Sequence, residues 1–152
     1  MKEFTAFFDG CCEPVNPGGH AAFGAVVLID GEKVFEASEY VGHGPKMSNN
    51  VAEYSGCIAV LKHLIEREDF NEKNQPVLIR GDSKLVVMQL TKRWRVKRGL
   101  YVPFYHEAAN LFAQFGVARL EWIPRDENSI ADELSKRVLK ERRVEFRLQK
   151  EG

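Results

Sequence analysis

The amino-acid sequence predicts an α/β fold: a five-stranded mixed sheet, three antiparallel strands followed by parallel ones, flanked by helices. Two observations predict it. Three apolar runs read as strands as far as about Val41, the first of them with a two-residue period, and runs with helical spacing then alternate with short apolar strands. Asp30-Gly31 stands between the second and third runs, a tight-turn pair that joins adjacent antiparallel strands. Three strands, a helix, a strand, helices, a strand and a last helix is an order that places helices over the faces of one mixed sheet.

The first strand spans about residues 3–9, where Phe4, Ala6 and Phe8 alternate with Thr5 and Phe7. A loop rich in Pro and Gly is expected after Asp9. HAAFGAVVLID, residues 20–30, forms the second strand and EKVFEASEYV the third. A loop with Gly42, Gly44 and Pro45 follows. Ser48 or Asn49 then caps a helix whose apolar residues Tyr54, Cys57, Ile58, Leu61, Leu64 and Ile65 recur at helical spacing. Pro76 opens the strand VLIRG, which ends at Asp82, and residues 83–90 read as a short helix. Residues 100–115 are interrupted by Pro103 and then carry a helical pattern through Tyr105, Ala108, Leu111, Phe112 and Phe115. ARLEWIP, residues 118–124, is the last strand, and a final helix runs from about Asn128 past Leu139. RRVEFRLQK reads equally as an extension of that helix or as a strand-like arm.

One domain, residues 1–152, is expected, with residues from about 143–152 as a basic C-terminal tail. Hydrophobic residues make up 44% of the chain, enough for a core. The formal net charge is zero, which excludes a chain basic all over but not a local basic patch such as TKRWRVKRG. No apolar stretch is long enough for a membrane helix, and MKEFTAFF lacks a signal-peptide layout, so a cytoplasmic protein with no membrane partner is expected. Its three cysteines read as free thiols.

Four carboxylates stand where an element meets a loop or where periodicity calls for an apolar residue: Asp9, Glu53, Asp82 and Asp132. If the first and fourth strands are neighbours, Asp9 and Asp82 approach one another. Clustered carboxylates repel, and a divalent cation with a preference for oxygen ligands relieves the repulsion. Each also has an ordinary reading: a turn or cap for the aspartates after strands, a helix-dipole partner for Glu53, a surface ion pair for Asp132. Spacing alone leaves their convergence open.

FFDG with the following NPGG loop, SNNVAEYSG, RGDSKLVV and PRDENSIADELS occur in this order along the chain. By these segments the chain resembles type 1 ribonuclease H over nearly its whole length. The resemblance implies the ribonuclease H-like fold and assigns Asp9, Glu53, Asp82 and Asp132 as catalytic, metal-binding carboxylates. The implied reaction is hydrolysis of the RNA strand of an RNA–DNA hybrid to 5′-phosphate and 3′-hydroxyl ends. It uses two Mg²⁺ ions, with Mn²⁺ as a substitute. One ion, on Asp9 and Asp132, would activate water; the other, on Asp9, Glu53 and Asp82, would stabilise the leaving oxygen. Gly10, Cys11, Cys12, Asn16 and Gly18 would bring backbone groups to the minor groove of the hybrid, where 2′-hydroxyls mark the RNA strand. Asn49 and Asn50 match positions that contact nucleic acid near the cut, and Ser83 is a further binding candidate as well as a helix cap.

The chain departs from the family pattern in two places. IPRDENS lacks the histidine that many members carry before the last helix; Arg125 is the candidate there, able to bind phosphate or product but not to act as a base. TKRWRVKRG lacks the extra basic helix of some members, yet its basic residues, Lys97 among them, could meet phosphates of the DNA strand while Trp94 packs on a sugar or caps the core. The expected protein is a monomer whose partner is an RNA–DNA hybrid. Three alternatives stay open: a non-catalytic hybrid-binding module, a nuclease of the same fold that acts on another nucleic acid, and a domain cut from a larger polymerase.

Overall fold

A computed structural model describes residues 2–147. Five strands, β1 (Phe4–Glu13), β2 (His20–Ile29), β3 (Glu32–His43), β4 (Val77–Gly81) and β5 (Ala118–Trp122), form one sheet in the order β3-β2-β1-β4-β5. β1, β2 and β3 pair antiparallel, whereas β4 joins β1 and β5 joins β4 in parallel. Among the described residues, four α-helices flank the sheet: α1 (Asn49–Glu66), α2 (Lys84–Leu90), α3 (Val102–Phe112) and α4 (Ser129–Glu141).

The hairpin turns at Asp30-Gly31, both with positive φ, as a tight turn between twisted strands requires. Ser48 caps α1 by accepting the Val51 N–H at 3.2 Å. The apolar face of α1 then packs with α3 and with Phe4, Ala6 and Phe8 of β1 into the main core. α4 covers the opposite face, where Leu139 meets Cys11 and Ala22. The sheet is therefore the middle layer of three.

Several boundaries differ from the sequence-based expectation. β1 does not stop near Asp9 but continues through Gly10, Cys11, Cys12 and Glu13, because the equally long β2 pairs with it over its full length, from Phe4↔Ile29 to Glu13↔His20. The Pro- and Gly-rich loop is confined to residues 14–19. β3 reaches His43, so Gly42 lies in the strand rather than the loop. Pro103 lies in the first turn of α3, where its missing N–H costs nothing, so it starts that helix instead of interrupting it. β5 ends at Trp122, before Pro124. The segment after α4 neither prolongs the helix nor joins the sheet: Val144 and Phe146 pack on the Cys11–Leu139 cluster, and Arg147 pairs with Glu13 at 3.1 Å. The rest of the expected basic tail, residues 148–152, lies outside the described residues.

Candidate active site

The parallel pairing of β1 with β4 ends at Phe8↔Gly81. Asp9 and Asp82 are the next residues on the two strands' courses, so the sheet itself sets them side by side. Gly10 turns its missing side chain toward α1: a Cβ there would collide with the Glu53 amide and the Ala52 backbone. Only glycine lets α1 rest on β1 at this height, and that contact carries Glu53 to Asp9. Gly24, opposite Asp9 across the β1–β2 pair, does the same for α4, since a Cβ there would lie 2.6 Å from Leu134 Cβ and Ser135 N. α4 thereby brings Asp132, in its first turn, against Asp9.

Asp9, Glu53 and Asp82 each offer a carboxylate oxygen within 4.8 Å of the others. Asp9 and Glu53 are both only 4% exposed. Burial, with the Asp82 charge next in importance, pushes Asp9 up to about 8. Burial and the neighbouring Asp9 raise Glu53 well above the usual carboxylate range. Asp132 moves the other way. Burial opposes its ionisation, but a hydrogen bond with Asp9 and the cations Lys136 and Arg125 outweigh it. Lys136 Nζ stands 3.1 Å and Arg125 Nη2 3.7 Å from its carboxylate.

Such a cluster is unfavourable without a counter-charge. Glu53 Oε2 is buried with no hydrogen-bond partner, an orphan acceptor that a protein does not ordinarily leave unsatisfied. Hard oxygen donors, three convergent carboxylates and this free lone pair fit a divalent cation of the Mg²⁺ or Mn²⁺ type.

The carboxylates lie in a cleft of about 780 Å³. Of the residues expected to meet nucleic acid, Gly10, Cys11, Asn16, Asn49 and Ser83 line it, as does Arg125. Asn16 Oδ1 accepts the Asn49 N–H at 2.8 Å, tying the loop after β1 to the start of α1. Ser83 caps α2 by accepting the Val86 N–H at 3.2 Å. Cys12, Gly18, Asn50, Trp94 and Lys97 are not among the lining residues. Cys12 is fully buried on the other side of β1 from Cys11, its thiol donating to the Val15 carbonyl at 3.2 Å. Cys11 donates to the Ser135 carbonyl. With their side chains directed to opposite faces, the two thiols are free, and burial pushes Cys11 up to about 12. Gly18 adopts φ +106° and holds the Met47 carbonyl through its N–H. Trp94 is 47% exposed and does not cap the core; Lys97 is exposed as well.

Sequence reasoning missed the basic wall of the cleft, formed by Lys136, Lys140 and Arg147. The two lysines follow Asp132 at intervals of four on α4, a spacing that places them on one helix face. Arg147 had no such local signal; its Nη2 reaches the Cys12 carbonyl at 2.8 Å from across the chain.

A family model described as reverse transcriptase-like matches residues 7–138. The bifunctional protein Rv2228c of Mycobacterium tuberculosis is 39% identical over 122 residues, 79% of this chain and 31% of that protein. This chain thus spans about a third of the length of the first curated relatives it matches. The solved N-terminal RNase H domain of Rv2228c superposes with a TM-score of 0.80 at 32% identity, covering 93% of this chain and 96% of that one. RNase H1 from the halophilic archaeon Halobacterium salinarum gives 0.77 at 31% identity, over 91% and 98% of the two chains. LC11-RNase H1 in complex with an RNA/DNA hybrid gives 0.74 at 29% identity, over 87% and 93%.

Proposed function

The chain belongs to the reverse transcriptase-like family and to the type 1 ribonuclease H group its sequence resembles, and on that premise we propose that it is an endoribonuclease cutting the RNA strand of RNA–DNA hybrids. The observation that carries this reading is the convergence of Asp9, Glu53 and Asp82 with an orphan Glu53 oxygen at the base of a cleft.

Asp9, Glu53 and Asp82 would hold one divalent ion and Asp9 with Asp132 a second, Mg²⁺ or Mn²⁺ in each case. When bound, the pair supplies charge neutralisation at the scissile phosphate, an activated water and stabilisation of the leaving 3′ oxygen. The chain's own groups do the rest. Asp9, shared between both carboxylate sets, fixes the distance between them. Lys136 and Arg125 hold Asp132 ionised and oriented. Arg125, which lines the cleft with 62% of its side chain exposed, would bind phosphate or the departing 5′-phosphate end. Gly10, Cys11, Asn16 and Asn49 line the cleft and would meet the 2′-hydroxyls that separate RNA from DNA. Gly18, by shaping the loop after β1, would act on that binding from outside the cleft, as would Asn50, the neighbour of Asn49 in α1. Lys97 and Trp94 would touch the DNA strand beyond the cleft and make binding salt-dependent. LC11-RNase H1, solved with an RNA/DNA hybrid, supports a hybrid as the substrate. In this reading the ribonuclease H domain formed by residues 1–152 acts as a monomer.

The test is cleavage of a labelled hybrid with Mg²⁺ or Mn²⁺, beside duplex RNA and duplex DNA, by the intact protein and by Asp82→Asn. Metal-dependent cutting confined to the RNA strand of the hybrid, and lost in the variant, is expected. Hybrid binding without cutting by the intact protein would instead identify a binding module, and cutting of another duplex would reassign the substrate.

A further inference from the structure

We propose that Trp122 is a positioning residue for Asp82, its indole N–H fixing the backbone that carries this carboxylate. The inference rests on the reading of Asp82 as a metal ligand.

The three convergent carboxylates are not held alike. Asp9 lies within a ten-residue strand paired to β2, and Glu53 lies within the eighteen-residue helix α1. Asp82 lies in neither a strand nor a helix: β4 ends at Gly81 and α2 begins at Lys84. Its peptide is part of a short joint with no ladder of its own. Two flanking bonds hold the ends of the joint. The Ile123 N–H donates to the Gly81 carbonyl at 3.0 Å, and the Ser83 hydroxyl caps α2. At Asp82 itself, the carbonyl accepts the Trp122 indole N–H at 3.1 Å.

Core packing does not explain this indole. Trp122 ends β5 opposite Gly81, stays 40% exposed, and belongs to neither hydrophobic cluster. Two polar groups engage it: the Asp82 carbonyl at its edge, and the Lys84 ammonium 4.8 Å from its ring centroid. A cation on the ring face draws electron density from the indole and strengthens its N–H as a donor. The residues on both sides of the Asp82 joint are thus engaged by one side chain, Lys84 by the ring and Asp82 by its nitrogen. Rigid support of a ligand's backbone keeps its oxygen at a fixed distance from its partners, which is what a shared ion requires.

The experiment compares the intact protein with Trp122→Phe, which keeps an aromatic ring for Lys84 but removes the donor, and with Asp82→Asn. Mn²⁺ binding is measured by calorimetry without substrate, and hybrid cleavage is measured separately. Trp122→Phe is expected to bind Mn²⁺ about 10-fold more weakly and to lose a similar factor in kcat, the usual effect of removing an outer support of a metal ligand. Its KM for hybrid should stay as in the intact protein. In the intact protein, the Trp122 indole N–H resonance should shift with Mg²⁺ occupancy while that of Trp94 does not. Unchanged Mn²⁺ affinity in Trp122→Phe, or an indole resonance indifferent to Mg²⁺, overturns the role of Trp122. An intact protein that binds no Mn²⁺ at all overturns the metal-ligand reading of Asp82, and the role with it.

Discussion

Asp9→Asn should stabilise the metal-free protein at alkaline pH while abolishing its activity. In the native state the Asp9 carboxyl is raised from 3.8 to about 8, first by burial and then by Asp82. Between those two values the native state keeps a proton that the unfolded chain has released, so stability falls as pH rises. The contribution is full below the unfolded value and lost as pH passes the native one. At ~1.4 kcal/mol per pKa unit the whole displacement amounts to at most ~6 kcal/mol. The cleft admits water, and an effective dielectric near ~20 brings the expected loss between pH 5 and 9 to roughly 2–3 kcal/mol. Glu53, also raised, adds in the same direction. Asp132 is lowered, so its contribution disappears only on acidification, below this window. Urea unfolding in EDTA at a series of pH values measures the effect. The intact protein should lose stability steadily toward pH 9. Asp9→Asn should lose much less and be the more stable of the two at pH 8.5. An intact protein with flat stability from pH 5 to 9, or a variant weaker than it at pH 8.5, would refute the electrostatic reasoning.

The same electrostatics predict that saturating Mg²⁺ raises the unfolding free energy at pH 8, by ~2.7 kcal/mol at a hundred times the dissociation constant, and that Asp9→Asn forfeits most of that gain in urea titrations. Gly24→Ala should cost ~1–3 kcal/mol through overpacking against Leu134 and Ser135, and should cut hybrid cleavage more than hybrid binding, because α4 carries Asp132 away with it. Tyr54→Phe removes the hydroxyl that donates to Gln89 Oε1 at 2.6 Å in the core, so ~1–3 kcal/mol of stability should go while Mn²⁺ affinity stays unchanged.

Much of the fold was legible because its signals are local. Asp30-Gly31 marks the hairpin, Ser48 the start of α1, and helical spacing the face that α1 buries. The far end of β1 is not legible because GCCE carries no strand pattern of its own; pairing with β2 extends the strand, and a pairing partner is not a local property. Asp9 consequently lies in mid-strand, at the height where the shorter β4 stops. The four carboxylates were identifiable as anomalies of position. Their convergence followed from the family resemblance, since it depends on strand order and on two glycines that let helices close on the sheet. The basic wall was half legible: Lys136 and Lys140 follow Asp132 along α4, whereas Arg147 meets Glu13 only through the return of the chain after α4. In the sequence Trp122 resembles an ordinary strand residue; only the tertiary structure sets its indole on the Asp82 carbonyl.

Diffraction from crystals soaked in Mn²⁺, recorded at the manganese absorption edge, would test the metal site most directly. An anomalous peak bound by the carboxylates of Asp9, Glu53 and Asp82 is expected, with the otherwise unpartnered Glu53 Oε2 among its ligands. Crystals that take up Mn²⁺ elsewhere, or show no peak at these carboxylates at saturating concentration, would contradict it and leave the acidic cluster without its proposed purpose.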